Sequence, residues 1–166
     1  MLWMACMLSA QNLVPNPNFE TFEYCPSSIS QIALAIPWVT PTEATPDYYH
    51  SCCDNLAADV PTNWGGYQQP LTGQAYAGCY FRGLNDYREY LQVELVTPME
   101  PGICYQVGFF INTMDQWCGA NQAGVFISAQ APSLMGQTVL PFDPQITGNG
   151  GFYTDTGAWM EISGLY

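Results

Sequence analysis

The chain has almost no positive charge. Of its 166 residues only Arg82 and Arg88 are strong bases; there is no lysine, and 14 acidic residues bring the net charge to −12. Nucleic acids and anionic membrane surfaces both need basic patches to dock on, so the composition argues against either as a partner. Charged residues of both signs together make up only 10% of the chain, against about a quarter in an ordinary globular protein. Histidine is reduced to His50 and no C-x-x-C occurs, which argues against zinc. The hydrolase signatures G-x-S-x-G and H-E-x-x-H are missing. A Ser-His-Asp set would have to use His50, which stands beside Cys52-Cys53 in a stretch that reads as structural. No apolar run reaches the roughly 20 residues that a membrane-spanning helix needs, so membrane insertion is not expected. No segment keeps a helical period, and no repeat recurs at solenoid or propeller spacing.

What is present points to one exported domain. Hydrophobic residues make up 48% of the chain, enough for a core in a single domain. Polarity is carried by Asn, Gln, Ser, Thr and Tyr, while 15 Gly and 13 Pro are scattered throughout, as suits short strands joined by turns. Met1 to Ala10 is a short uncharged apolar run ending Leu8-Ser9-Ala10. It reads as the remnant of a secretory signal peptide, with small residues before the cut. The domain proper then runs from Gln11 to Tyr166, and the protein is expected to be secreted or at the cell surface. No base precedes Arg82, so the usual basic start of a signal peptide is missing and the chain reads as a fragment. A lipoprotein reading of Cys6 is weak, because Trp3-Met4-Ala5 makes a poor lipobox.

Setting Cys6 aside leaves six of the 7 cysteines: Cys25, Cys52, Cys53, Cys79, Cys104 and Cys118. An even number in an exported chain favours disulfides, in a connectivity that spacing alone does not choose. The expectation is that Cys25 pairs with Cys52 or Cys53, stapling the Pro-rich stretch from Cys25 to Pro46 that has no periodic structure of its own.

Alternation locates the strands. Glu89 to Val96 places Leu91, Val93 and Leu95 on one face and Tyr90, Gln92 and Glu94 on the other. Ile103 to Asn112 alternates through Ile103, Tyr105, Val107, Phe109 and Ile111. Pro98 to Gly102 reads as the turn between these two segments. Ala75 to Phe81 and Gly124 to Ser128 read as further strands, and Asn12 to Glu23 as an opening strand. Short strands with one apolar face and intervening turns indicate an all-β antiparallel sandwich. Leu91, Val93, Leu95, Tyr105, Val107, Phe109, Val125 and Ile127 are expected in one core.

Several motifs occur in a fixed order: N-L-V-P-N-P-N-F-E (Asn12 to Glu20), C-P (Cys25-Pro26), T-P-D-Y-Y (Thr45 to Tyr49) with Cys52, V-P-x-N (Val60 to Asn63), A-Y-A-G (Ala75 to Gly78), Y-R-E-Y-L-Q-V-E-L (Tyr87 to Leu95), P-G-I-C-Y-Q-V-G-F (Pro101 to Phe109) and A-G-V-F-I-S (Ala123 to Ser128). Together they resemble the N-terminal jelly-roll domain of exported bacterial cell-surface proteins. That domain is similar to galactose-binding-like carbohydrate-binding modules, and is often followed by repeats, an OmpA-like domain or a sorting domain. The resemblance runs from about Asn12 to the end. It implies that further strands follow the W-x-x-I-S-G-x-Y segment (Trp159 to Tyr166), so that the last strands are missing here. Cys53, Cys79 and Cys118 are not cysteines expected throughout such a family.

The resemblance also makes Glu20, in the opening F-E pair, the candidate ligand of a structural calcium ion. Calcium takes about six to eight oxygens, and a turn-rich segment offers carbonyls beside a carboxylate; the plainer role is a solvated or capping carboxylate. Tyr90, Gln92, Glu94 and Gln106 form a polar, aromatic stripe if their two strands pair across the Pro98–Gly102 turn. Rings that stack on sugar C–H faces, with amides and carboxylates that bond hydroxyls, would suit a glycan; an ordinary solvent-facing sheet would look the same. Arg88 is a ligand-facing base or, more simply, a structural anchor. Trp64, Tyr67, Tyr87 and Trp117 lie in loop-like sequence, where aromatics more often cap the end of a sandwich than bind. The 14 carboxylates always allow some pair at glycosidase distance and so argue nothing for catalysis.

The residues therefore suggest a non-catalytic extracellular binding module, glycan-directed, at the N-terminus of a longer surface or secreted protein. The alternative is a structural or adhesive surface domain that binds a protein partner or no small ligand. An enzyme fragment carrying such a module is the weakest reading.

Overall fold

The computed structural model describes residues 11–137, 139–148 and 150–166. The signal-peptide reading of Met1–Ala10, and Cys6 with it, lies outside the described residues. The chain is all-β in class. Among the described residues the regular elements are eight short strands and two 3-10 turns, Ile32–Leu34 and Leu84–Asp86. The strands are β1 (Asp47–His50), β2 (Thr62–Asn63), β3 (Gly66–Tyr67), β4 (Ala75–Gly78), β5 (Gln106–Ile111), β6 (Gly124–Val125), β7 (Ile146–Thr147) and β8 (Met160–Leu165). They pair antiparallel as β1–β4, β2–β3, β5–β8 and β6–β7, so the described residues hold four small ladders rather than one broad sheet.

The β1–β4 ladder is the centre of the first region. Its register runs from Asp47 opposite Gly78 to His50 opposite Ala75. All four residues of β1 are buried, so the strand is covered on both faces. Side chains alternate along a strand, and Tyr48 and Tyr49 accordingly enter different clusters. Tyr48 packs with Ile32, Leu34, Ala35 and Ala75, bordered by Phe19, Phe22, Trp38 and Leu91. Tyr49 packs with Cys53, Ala58 and Val60, bordered by Tyr76. The ring of Tyr49 lies over Gly78, where a Cβ would meet its Cε2 at 2.6 Å. His50 lies on the Tyr48 side, 4.5 Å from the Phe22 ring, and its Nδ1 accepts from the Cys52 N–H at 2.9 Å. Burial holds its pKa below the usual histidine value. These contacts agree with a structural role for His50.

Cys25 is bonded to Cys52, one of the two partners expected. The bridge spans 27 residues and ties the Pro-rich segment to the end of β1. Closing a loop of that length stabilises by about 3.5 kcal/mol in the chain-entropy model. The even cysteine count does not produce further bridges among the described residues. Cys53 is free and buried, Cys79 free and half-buried, and Cys104 and Cys118 free and exposed.

In the second region β5 follows the expected alternation: Val107 and Phe109 are half-buried and Ile111 is buried, while Gln106, Gly108 and Phe110 face out. Its partner is β8, from Gln106 opposite Leu165 to Ile111 opposite Met160. Ile111, Ala123 and Ile162 form a third cluster with Phe109, Tyr153 and Met160 at its border.

Three expectations need correction. Asn12 to Glu23 is a series of bends and turns. Pro15 and Pro17 carry no N–H for a ladder, and the Asn16 side chain takes over the local bonding: its Nδ2 donates to the Thr21 and Ile36 carbonyls, and its Oδ1 accepts from the Thr21 N–H. Glu89 to Val96 makes only one bridge, Gln92 to Val39, bonded in both directions at 2.8 and 2.9 Å. Val39 stands between Pro37 and Pro41, so this ladder cannot grow on either side. Nor do the eight expected core residues share one core. Leu91 borders the Tyr48 cluster and Phe109 borders the Ile162 cluster, while Val93, Leu95, Tyr105, Val107, Val125 and Ile127 are half-buried. The β6 ladder is similarly cut short by Pro144. Beyond it the Gln145 side chain imitates a strand, accepting from Ile127 N–H at 2.8 Å and donating to the Ile127 carbonyl at 3.0 Å.

Candidate functional site

Where β1, the β2–β3 hairpin and the loop after β5 meet, two buried carboxylates lie beneath a cluster of aromatic rings. Asp47 is 7% exposed and Glu89 8%. Asp47 Oδ1 accepts from the Ser30 N–H at 2.6 Å and Oδ2 from the Tyr49 hydroxyl at 2.7 Å. The Tyr49 hydroxyl in turn accepts from Trp64 Nε1 at 2.7 Å. Glu89 is held in the same manner: Oε2 accepts from the Tyr80 N–H and Oε1 from the Tyr87 hydroxyl, both at 2.7 Å. Asp47 thus holds the Tyr49 ring and through it Trp64, and Glu89 holds the Tyr87 ring and the Tyr80 backbone, while Trp117 joins through ring contacts alone.

The rings meet edge to face. Trp117 lies 5.3 Å from Tyr80 at 80° and 6.3 Å from Trp64 at 77°, and Tyr80 lies 6.0 Å from Tyr87 at 76°. Trp64 is 39% exposed and Trp117 50%, so the cluster opens to solvent. The loop bearing Trp117 is fastened to the hairpin by Asp115, whose Oδ2 accepts from the Tyr67 N–H at 2.9 Å. This close approach requires glycine at position 66: its φ is +123°, and a Cβ there would run into the Asp115 carboxylate.

Burial, with no base to offset it, sets the electrostatics. Both arginines are bonded to Asp86 at the tip of the loop between Tyr80 and Glu89, at 3.4 Å from Arg82 and 3.2 Å from Arg88. Burial raises the Asp47 carboxyl above its ordinary value despite its bonds to Tyr49 and Ser30. Burial also raises Glu89, and the charge of Asp47 adds to the effect. The Cys79 thiol is pushed well up by burial, then by the charges of Glu89 and Asp47. The Tyr80 phenol is raised by burial and then by the charges of Glu89 and Asp47. On the neighbouring face Tyr76 is pushed up to about 12, chiefly by burial.

The stripe expected from alternation does not assemble on adjacent strands. Gln92 bridges Val39, whereas Gln106 lies opposite Leu165 in the β5–β8 ladder. The reason is the pairing itself: β8, from far along the chain, takes the place next to β5 that Glu89–Val96 was expected to fill. The Tyr90 hydroxyl accepts from the Leu140 N–H at 3.1 Å, and Glu94 is exposed. Arg88 anchors its own loop through Phe81 O and Asp86. Glu20 accepts from the Gln74 N–H at 2.7 Å and lies against Gly73, which is a capping role. Nearby oxygens are engaged as well: the Phe19 carbonyl accepts from the Tyr48 hydroxyl and the Asn16 carbonyl from Trp38 Nε1. Among the described residues no three His, Cys, Asp or Glu side chains gather as a metal site. Glu20 thus offers one carboxylate, with Oε1 bonded to the Gln74 N–H.

Of the loop aromatics, Trp64, Tyr87 and Trp117 are brought together. Sequence reasoning did not single out Asp47, Tyr80 or Glu89 as site residues. The available signal was the setting of Asp47 and Glu89: lone carboxylates among aromatic and apolar residues, T-P-D-Y-Y and Y-R-E-Y-L, in a chain nearly devoid of bases. No family model matches the chain, and neither a curated protein nor a solved structure matches it significantly.

Proposed function

We propose that the chain is a non-catalytic extracellular binding module directed at glycans, with Trp64, Tyr80 and Trp117 as its contact surface. The observation that carries this reading is the solvent-open ring cluster, anchored to the buried carboxylates through Trp64 and the Tyr80 backbone. Aromatic faces contribute binding area at low conformational cost, and rings preset by hydrogen bonds lose little freedom when a ligand arrives. The reading takes the small ladders as parts of a galactose-binding-like jelly roll at the head of a longer polypeptide, in line with the resemblance of the ordered motifs. A secreted or cell-surface location is supported by the Cys25–Cys52 bridge. No helix among the described residues is long and apolar enough to cross a membrane. The test is a glycan array followed by titration of the best binder. Trp117→Ala should abolish binding while leaving the melting temperature nearly unchanged; an array without hits, or unchanged affinity in this variant, overturns the proposal.

Calcium belongs to the same reading only as a secondary element. If Glu20 held a structural ion, a chelator would lower the melting temperature of the native chain and have no effect on Glu20→Gln. With Glu20 acting as a cap for Gln74, chelator should change neither.

A second reading, a protein-binding surface domain, is favoured by a separate feature. Phe126 and Phe142 stack at 4.7 Å and 9°, and are 38% and 44% exposed. They border an open apolar cleft with Ala129, Ala131 and Pro132. Phe142→Ser removes this feature without touching the ring cluster, so it separates the two readings in a cell-surface adhesion assay.

A further inference from the structure

We infer that the glycan accepted at the Trp64–Tyr80–Trp117 cluster is a cationic one, an amino sugar polymer whose free amines carry protons. This rests on the glycan reading above and sharpens it to a ligand class. The geometry is the first reason. Flat, neutral sugars are served best by rings that present one continuous platform. Here Trp117 stands at 77° to Trp64 and 80° to Tyr80, while Trp64 and Tyr80 are tilted at 44°, so the three rings form the walls of a corner and not a platform. A corner directs more than one negative ring face at the same point, which is the arrangement that attracts an ammonium group.

Charge is the second reason, and it is independent of ring geometry. The Asp47 and Glu89 carboxylates lie directly behind the rings, through Trp64–Tyr49 on one side and Tyr80 and Tyr87 on the other. The exposed Asp115 fastens the loop that carries Trp117. No base of the chain neutralises this group, since Arg82 and Arg88 are both engaged with Asp86. With a net charge of −12, the whole molecule draws cations toward the site. A bound ammonium would supply the positive charge that the buried carboxylates lack.

The third reason is access. Trp64 uses its Nε1 internally but leaves its indole half open, and Trp117 is half exposed. Both indoles are therefore partly open to solvent, whereas the carboxylate oxygens are already bonded inside. The ligand is recognised by ring faces and by field, without direct carboxylate contact. Such recognition tolerates variation in the sugar's hydroxyls and depends on the amine.

The experiment titrates the full chain with three β-1,4-linked oligosaccharides of equal length: glucosamine, N-acetylglucosamine and glucose. It is read by calorimetry and tryptophan fluorescence, at a pH where the amines are protonated. The glucosamine oligomer should bind about tenfold tighter than either neutral one, as expected for a partly desolvated cation–π contact. Added salt should narrow that gap. Tetramethylammonium should compete for the same site. Trp117→Ala should abolish the preference. Asp115→Asn, which removes the charge but keeps an amide oxygen able to accept from the Tyr67 N–H, should reduce it. Equal binding of all three sugars overturns the cationic inference and leaves the glycan reading standing. Binding to none overturns both. Preference for glucosamine that survives Trp117→Ala shows that the amine is recognised elsewhere and overturns this assignment.

Discussion

The two regions of the molecule are held together by different means. The first, built on β1 and β4, pairs only four residues per strand, but β1 is buried on both faces. Its irregular segments are fixed by a disulfide, by the Asn16 side chain and by bonds to the Asp47 and Glu89 carboxylates. The second has the longest ladder, six pairs between β5 and β8, yet only one face of it is covered, and Phe110 and Leu165 are 44% and 68% exposed. Of these two ladders, the one with more extensive backbone pairing is the less completely buried. Extended ladders and buried cores are separate sources of order, and the ring cluster of the candidate site lies mainly on the region that relies on side-chain bonds and a covalent link. That suits a binding surface, because hydrogen-bonded aromatics are held more narrowly than apolar rings in a loop.

The largest test of this contrast removes the covalent link. Cys25→Ser with Cys52→Ser should cost about 3.5 kcal/mol. Hydrogen exchange should show the loss in Ser30, Ala35 and Trp38 amides before those of β5. Equal loss of protection in β5 and β8 would mean that the regions unfold as one and that the contrast has no energetic content. The complementary change is Ile162→Ala, at a side chain only 2% exposed in the second region's cluster. It should cost about 3 kcal/mol and weaken the β5–β8 amides first, as measured by denaturant melts combined with exchange.

A smaller effect is expected for Asn16→Ala. Three local bonds disappear, two of them to the Thr21 backbone and one to Ile36. Because the site is exposed to water, the loss should be about 1–2 kcal/mol. If the opening segment kept its exchange protection in this variant, the Asn16 side chain would not be what replaces a ladder there.

The smallest effect is a slope. The carboxyls of Asp47 and Glu89 have ordinary values of 3.8 and 4.5, and both are raised in the fold. The folded state therefore binds more protons than the unfolded chain between the ordinary and the raised values. The stability they contribute is fully present below the ordinary values and is lost as pH rises through the raised ones. His50 and Asp155 act in the opposite direction. His50 contributes above 6.5 and loses this as pH falls through its lowered value; Asp155 contributes above 3.8 and loses it on further acidification. The informative quantity is accordingly a difference. The melting temperature of the native chain minus that of Asp47→Asn with Glu89→Gln should fall as pH rises from the acid range. A difference that stays flat with pH would show that neither carboxyl is raised.

The opening segment, the Gln92 bridge and β5 show why legibility varied along the chain. Ile103 to Asn112 was readable because alternation depends only on which side chains are apolar, and one covered face is enough to reveal it. Asn12 to Glu23 looked extended by composition, but Pro15 and Pro17 withdraw donors and Asn16 supplies substitutes, so the chain turns instead. Glu89 to Val96 alternates just as clearly as β5, yet forms a single bridge because the available partner is bounded by Pro37 and Pro41. Alternation reports burial; it does not report whether a neighbouring strand has donors to offer. The candidate site was half legible for a similar reason. Trp64, Tyr87 and Trp117 were visible as loop aromatics, but their assembly depends on Asp47 and Glu89, which come from different segments.

By itself, the sequence determined the all-β class, the alternation of β5, the Cys25 pairing to within two neighbours and the shortage of bases that leaves the carboxylates uncompensated. Each follows from local pattern or from composition. Only the tertiary structure decided that β5 pairs with β8, that Cys52 rather than Cys53 closes the bridge, that the apolar residues divide into three clusters, and that two buried carboxylates stand behind one set of rings. These are contacts between residues distant in the chain, and their choice depends on which donors, acceptors and apolar faces remain free once all the other segments have been placed.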